Sequence, residues 1–83
     1  MPTVKRFNRC RIEMYFGDHP PPHFHAKFAE FHAVIDIDKL AIIRGSLPPS
    51  KSNAVIRWAT GRQEALRSAF GEAMAQRKVG PIK

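Results

Sequence analysis

Cysteine is almost missing from this chain: Cys10 stands alone among 83 residues, which excludes an internal disulfide and a thiolate metal cluster. Acidic residues are scarce as well, seven against fourteen lysines and arginines. The resulting net charge of +7 gives so small a domain a positive surface potential, which favours phosphate backbones or an acidic protein partner. Long apolar runs are absent, and nothing approaches the roughly 20 residues of a membrane span. The opening Met1-Pro2-Thr3-Val4-Lys5-Arg6 lacks the apolar stretch of a signal peptide. The expected location is the cytoplasm, with no membrane contact.

What is there suits one small folded domain over residues 1–83. Hydrophobic residues make up 43% and charged residues 25%, the balance of a globular chain and not of a disordered one. A chain of this length sits near the lower limit for an independent core, so a homodimer or a protein partner is expected to add stability.

From Arg9 to Phe16 the pattern alternates, with Cys10, Ile12, Met14 and Phe16 on one face and Arg9, Arg11, Glu13 and Tyr15 on the other. That is a half-buried strand, ended by Gly17-Asp18. Three prolines, Pro20 to Pro22, then hold the chain extended and remove ladder donors. A second alternation places Phe24, Ala26 and Phe28 inward and His23, His25 and Lys27 outward. The phase flips across Ala29-Glu30, after which Phe31, Ala33, Ile35 and Ile37 are the inward set, as a tight hairpin requires. A short fourth strand can be drawn from Leu40 to Ile43, closed by Gly45-Ser46.

The remainder reads as helix. Ser46 or Ser50 can cap it, Pro48-Pro49 suits a first turn, and Gly80-Pro81 stops it. Val55, Trp58, Ala59, Leu66, Ala69, Phe70 and Ala73 form a stripe at helical spacing. Arg62 falls inside that stripe on an ideal wheel, beside the helix-weakening Gly61. Either one long helix kinks there and Arg62 reaches a carboxylate, or the helix breaks and resets its phase. The expected fold is α+β: a three- to four-stranded antiparallel meander over about residues 4–44, its inner face covered by a C-terminal helix over about 47–78. The expected core comprises Ile12, Met14, Phe16, Phe24, Phe28, Ile35, Val55, Trp58, Leu66 and Phe70.

The chemically suggestive segment runs from Asp18 to His25. His23 and His25 are two apart on a strand, so they share a face with Cα atoms roughly 6 to 7 Å apart. His19 and Asp18 can return toward them across the proline bend. Three imidazoles and a carboxylate make a candidate site for a divalent zinc, manganese or iron ion, which would activate a bound water. Alternatively, His23 and His25 are a candidate acid–base pair acting on RNA, with Lys27 on the same face to steady a phosphate. The same histidines also suit a structural or interface role at a strand entrance. A second candidate site is a phosphate-tracking patch of Lys5, Arg6, Arg9, Arg11, Arg57, Arg62 and Arg67, with Tyr15 available to stack a base.

Taken together, Met14-Tyr15-Phe16-Gly17-Asp18-His19, Pro21-Pro22-His23-Phe24-His25, Gly45-Ser46-Leu47-Pro48-Pro49 and Trp58-Ala59 followed by Glu64-Ala65-Leu66 resemble a bacterial family known as domain of unknown function 4160. The resemblance spans nearly the whole chain and implies a short sheet followed by a C-terminal helix. It implies no reaction, because none is established for the family. It also implies a small protein partner from the same operon, since members are similar to one half of two-gene, toxin–antitoxin-like modules, often beside domain of unknown function 2442. Three departures stand out: Ala29-Glu30 replaces a glycine-rich hairpin tip, an extra proline precedes His23, and Gly61-Arg62 replaces a Leu-His pair. Two functions follow as expectations. One is a binding component that contacts a protein partner and nucleic acid; the other is a small histidine-dependent hydrolase or nuclease.

Overall fold

The structure is a computed structural model that describes residues 3–15, 17, 19–75 and 80–82. Five strands, β1 (Thr3–Phe7), β2 (Cys10–Glu13), β3 (His23–Phe28), β4 (Phe31–Asp36) and β5 (Ala41–Gly45), are followed by two helices, α1 (Pro49–Ala59) and α2 (Gln63–Met74). The strands form one antiparallel sheet in the order β1-β2-β3-β4-β5, each beside its neighbour in sequence. The α+β meander expected from the alternation is therefore present, with one strand more than expected and two short helices in place of a long one.

The additional strand is β1. A register shift between Thr3 and Lys5 breaks its period, so its core-facing residues Val4 and Phe7 lie three apart, a spacing that does not read as a strand. A two-residue turn joins it to β2, with both Asn8 (φ 50°) and Arg9 (φ 62°) left-handed, as in a type I′ hairpin. The other hairpin, through Ala29-Glu30, is as tight as the phase flip requires, and Ala29 takes φ 51°. A Cβ is unfavourable there by about 1 kcal/mol. Ala29→Gly is therefore expected to raise stability by roughly 0.5–1 kcal/mol, read as a higher urea midpoint at unchanged slope.

The helix breaks after Ala59. Thr60 is extended (ψ 126°), Gly61 takes φ 84°, and Arg62 is the N-cap of α2, whose new start resets the apolar stripe. Arg62 leaves the core by donating from Nη1 to the Trp58 carbonyl at 2.7 Å, with its guanidinium 5.6 Å from the Trp58 ring centroid. Of the two readings of Arg62, the break is the one observed. Pro48 occupies the cap position of α1 without a side-chain cap bond, so neither Ser46 nor Ser50 caps it. Pro49 at the first helical position costs nothing there, because that N–H has no intrahelical acceptor. Helix α2 ends at Met74, short of the expected 78; residues 76–79 lie outside the described residues, as does Phe16 of the expected core.

Both helices lie on one face of the sheet. Val4, Cys10, Ile12, Met14, Phe24, Ala26, Ala33, Ile35 and Ile37 meet Leu47, Val55, Trp58, Ala59, Leu66, Ala69, Phe70 and Ala73 in one core, with Phe28 half-buried at its margin. Phe24 and Trp58 pack edge to face at 6.3 Å. Burial pushes the Cys10 thiol pKa up against a smaller opposing pull from Lys51, consistent with an inert core residue. The Gln63 amide donates to the carbonyl oxygens of Ile37 and Asp38, and so fixes the start of α2 to the turn between β4 and β5. The margins of the sheet differ. The Ile82 N–H reaches the Val4 carbonyl at 2.7 Å alongside β1, whereas all of β5 is exposed, including Ile43 at 49%. Among the described residues no helix is long and apolar enough to cross a membrane.

Candidate functional site

With one face covered by helices, the other carries the histidines, and the strand register sets their layout. One row across the sheet pairs Arg6, Arg11, Lys27 and His32 on β1 to β4. The next pairs Thr3, Glu13, His25, Val34 and Arg44 on β1 to β5. A third places His23 beside Asp36. Successive strands stand about 4.8 Å apart, which spaces neighbours within a row, and rows two residues apart along a strand lie roughly 6.8 Å from one another.

The bend from Gly17 to Pro22 is secured at both ends. The Gly17 N–H donates to the Ala73 carbonyl at 3.0 Å, and the Ile37 N–H donates to the Pro22 carbonyl at 3.0 Å. The Pro20–Pro21 peptide is cis. The two anchoring hydrogen bonds bring the chain into β3 with His23 outward and Phe24 inward, as the alternation requires. His23 Nδ1 lies 2.8 Å from the Pro21 carbonyl oxygen. A carbonyl only accepts, so Nδ1 bears the hydrogen, and in the neutral ring Nε2 is the basic nitrogen. Phe70 at 5.2 Å and His25 at 5.3 Å hold the His23 ring in place.

His25 is only 7% exposed although it is on the outer face. Tyr15 stacks on it with centroids 3.9 Å apart and planes at 17°. His25 Nδ1 meets Nε2 of the exposed His32 at 3.0 Å, so a single proton bridges two imidazoles. Glu13, 4% exposed, is held by Lys27 Nζ at 3.2 Å and by Arg11 Nε at 3.7 Å. Contact with Tyr15, opposed by partial desolvation and reinforced by Glu13, raises the Lys27 pKa above its ordinary value. The stabilisation tied to that shift is complete at neutral pH and is lost only as pH rises through the raised pKa.

His19, Pro20, Pro21, His23, His25, Val34, Ile43 and Arg44 line a cleft of about 330 Å³ on this face. The structure thus brings His19, His23 and His25 to one depression and adds Arg44. Asp18 lies outside the described residues. Among the described residues, no three His, Cys, Asp or Glu side chains are placed to hold a metal ion.

The basic residues expected to form one patch fall into separate places. Arg6, Arg11 and Lys27 share the outer face with Tyr15; Lys5 sits at the β1 bulge and Arg9 in the adjoining turn. Arg57, Arg62 and Arg67 belong to the helical layer behind the sheet. Arg67 contacts Asp38 at 2.6 Å in an exposed pair of little energetic weight, and Arg57 lies in the last turn of α1, where it suits the helix dipole. Tyr15 packs on His25, with Lys27 Nζ 5.3 Å from its ring centroid, so its ring is part of the imidazole cluster. His32, Glu13 and Arg44 were not among the expected site residues. The hairpin register could have found His32, because a two-residue turn at Ala29-Glu30 sets it opposite Lys27.

Fold and site together define a basic α+β domain with an imidazole-lined cleft on the uncovered face of an antiparallel meander. The chain belongs to the family described as Domain of unknown function (DUF4160), whose model matches residues 10–70. No curated protein and no solved structure matches it.

Proposed function

We propose that this protein is a binding component that contacts single-stranded nucleic acid, RNA in particular, across the outer face of its sheet. The observation that carries this reading is the row Arg6, Arg11, Lys27 and His32, which crosses four strands over roughly 14 Å beside a cleft edged by Arg44. Four cations, Arg6, Arg11, Lys27 and Arg44, stand in the first two rows against the buried carboxylate of Glu13, with the buried Asp36 in the third. An open sheet face suits an unpaired strand better than a duplex groove, and the net charge of +7 supplies the long-range attraction. The family's two-gene arrangement supports a second part of the reading, a small protein partner in a toxin–antitoxin-like module.

The test is binding of a labelled single-stranded oligoribonucleotide as a function of salt. Affinity should fall with a log–log slope near −0.7 per phosphate neutralised. The double variant Arg6→Gln, Arg44→Gln should flatten that slope by about 1.4 and leave the fold intact, because both side chains are exposed. A slope unaffected by the two substitutions would remove the outer face from the reading. Co-expression with the neighbouring gene product tests the partner, and separate elution of the two proteins would count against it.

A further inference from the structure

We infer that the outer face not only holds RNA but cleaves it by imidazole acid–base chemistry, with His32, a residue outside the His19–His25 segment, as the proton relay. This rests on the RNA-binding reading of the same face. Cleavage through the ribose 2′-hydroxyl requires a base for that hydroxyl, an acid for the leaving 5′-oxygen and a cation for the phosphoryl oxygens. The cleft presents a candidate for each.

His23 is the base. Its Nδ1–H is committed to the Pro21 carbonyl at 2.8 Å, which makes Nε2 the nitrogen that takes a proton, and Phe70 and His25 fix the plane of the ring. The acid is the His25–His32 pair. Two imidazoles 3.0 Å apart at Nδ1 and Nε2 share one proton when neutral and become an imidazole–imidazolium pair on taking up another. His25 lines the cleft but is buried under Tyr15, whereas His32 is exposed; the bridge therefore connects a buried donor to solvent. Arg44 lines the same cleft and is the candidate contact for the phosphoryl oxygens.

The 2′-hydroxyl proton passes to His23 Nε2 as the O2′–P bond forms. The P–O5′ bond breaks, and O5′ takes a proton from His25, which is replenished through His32. The products are a 2′,3′-cyclic phosphate and a 5′-hydroxyl, with no oxidant, reductant or metal consumed. His25 is a catalytic residue in this scheme, and His32 is a positioning residue that acts through it.

The experiment uses the full chain in EDTA with a single-stranded oligoribonucleotide and its fully 2′-O-methylated counterpart. The expected result is cleavage of the first to 2′,3′-cyclic ends, with binding but no cleavage of the second. The rate should follow a bell-shaped pH profile and fall about 10²- to 10⁴-fold in His23→Ala. At saturating RNA, His32→Gln should move the alkaline limb of the profile, which reports the proton donor and which a merely structural role would leave in place. RNA that is bound at normal affinity yet stays intact overturns the cleavage inference and leaves the binding reading standing; RNA that is not bound overturns both. Cleavage at an unchanged rate in His23→Ala, or cleavage that stops in EDTA, also overturns it.

Discussion

Phe24→Ala costs about 3–5 kcal/mol of stability, as the expected result of removing the largest side chain at the centre of the sheet. Phe24 is fully buried, pairs with Ile35 across β4 and meets the edge of Trp58 at 6.3 Å. Truncations of this kind cost about 3–5 kcal/mol, from lost transfer energy and from the cavity left behind. A domain of 83 residues has a total stability of only about 4–12 kcal/mol. Far-UV circular dichroism and urea titration give the measurement. Phe24→Leu, which refills most of the volume, should cost less than about 2 kcal/mol. Equal losses in the two variants would show that volume at this position is not what holds the sheet to the helices.

Gly45→Ala is the second large effect, with an expected loss of about 2–4 kcal/mol from a single methyl group. Gly45 takes φ 76°, and a Cβ there would collide with the backbone carbonyl oxygen of His32. That carbonyl accepts the Ser46 N–H at 3.2 Å, and backbone on both sides of the collision is anchored in the β4–β5 ladder. No rotamer relieves it. The displaced residue is the one whose imidazole meets His25, so the substitution should also separate the pair. Histidine ring signals in NMR would record this directly: changed His25 and His32 shifts with an unchanged His19 are expected. An unaltered urea midpoint would contradict the collision.

The parts of the fold legible in the sequence were those governed by unbroken periodicity. The alternation through Cys10, Ile12 and Met14, and through Phe24 and Ala26, reports faces that the structure reproduces, and the stripe from Val55 to Ala73 is buried throughout. Illegible features came from interruptions. The bulge in β1 put Val4 and Phe7 out of phase, and the left-handed Arg9 gave no turn signal, since arginine rarely takes that conformation. Arg62 was ambiguous because a residue in an apolar stripe has two remedies, and only the backbone decides between a kink and a break. At the site, two-residue spacing identified His23 and His25. His32 and Arg44 join them only through the register between strands, a long-range property. Tyr15 was read as an outward platform for a base, and it is outward, but it lies over His25.

The unequal margins of the sheet give the molecule a direction. Beside β1, the segment that holds Ile82 already occupies the outer margin; beside β5, backbone and the side chains of Ile42 and Ile43 face solvent. Among the described residues, an extended polypeptide that lengthens the ladder thus has its berth next to β5. That berth adjoins Ile43 and Arg44, which form one lip of the histidine cleft. The open edge and the histidine cleft therefore share one end of the strand order, and the margin beside β1 lies at the other.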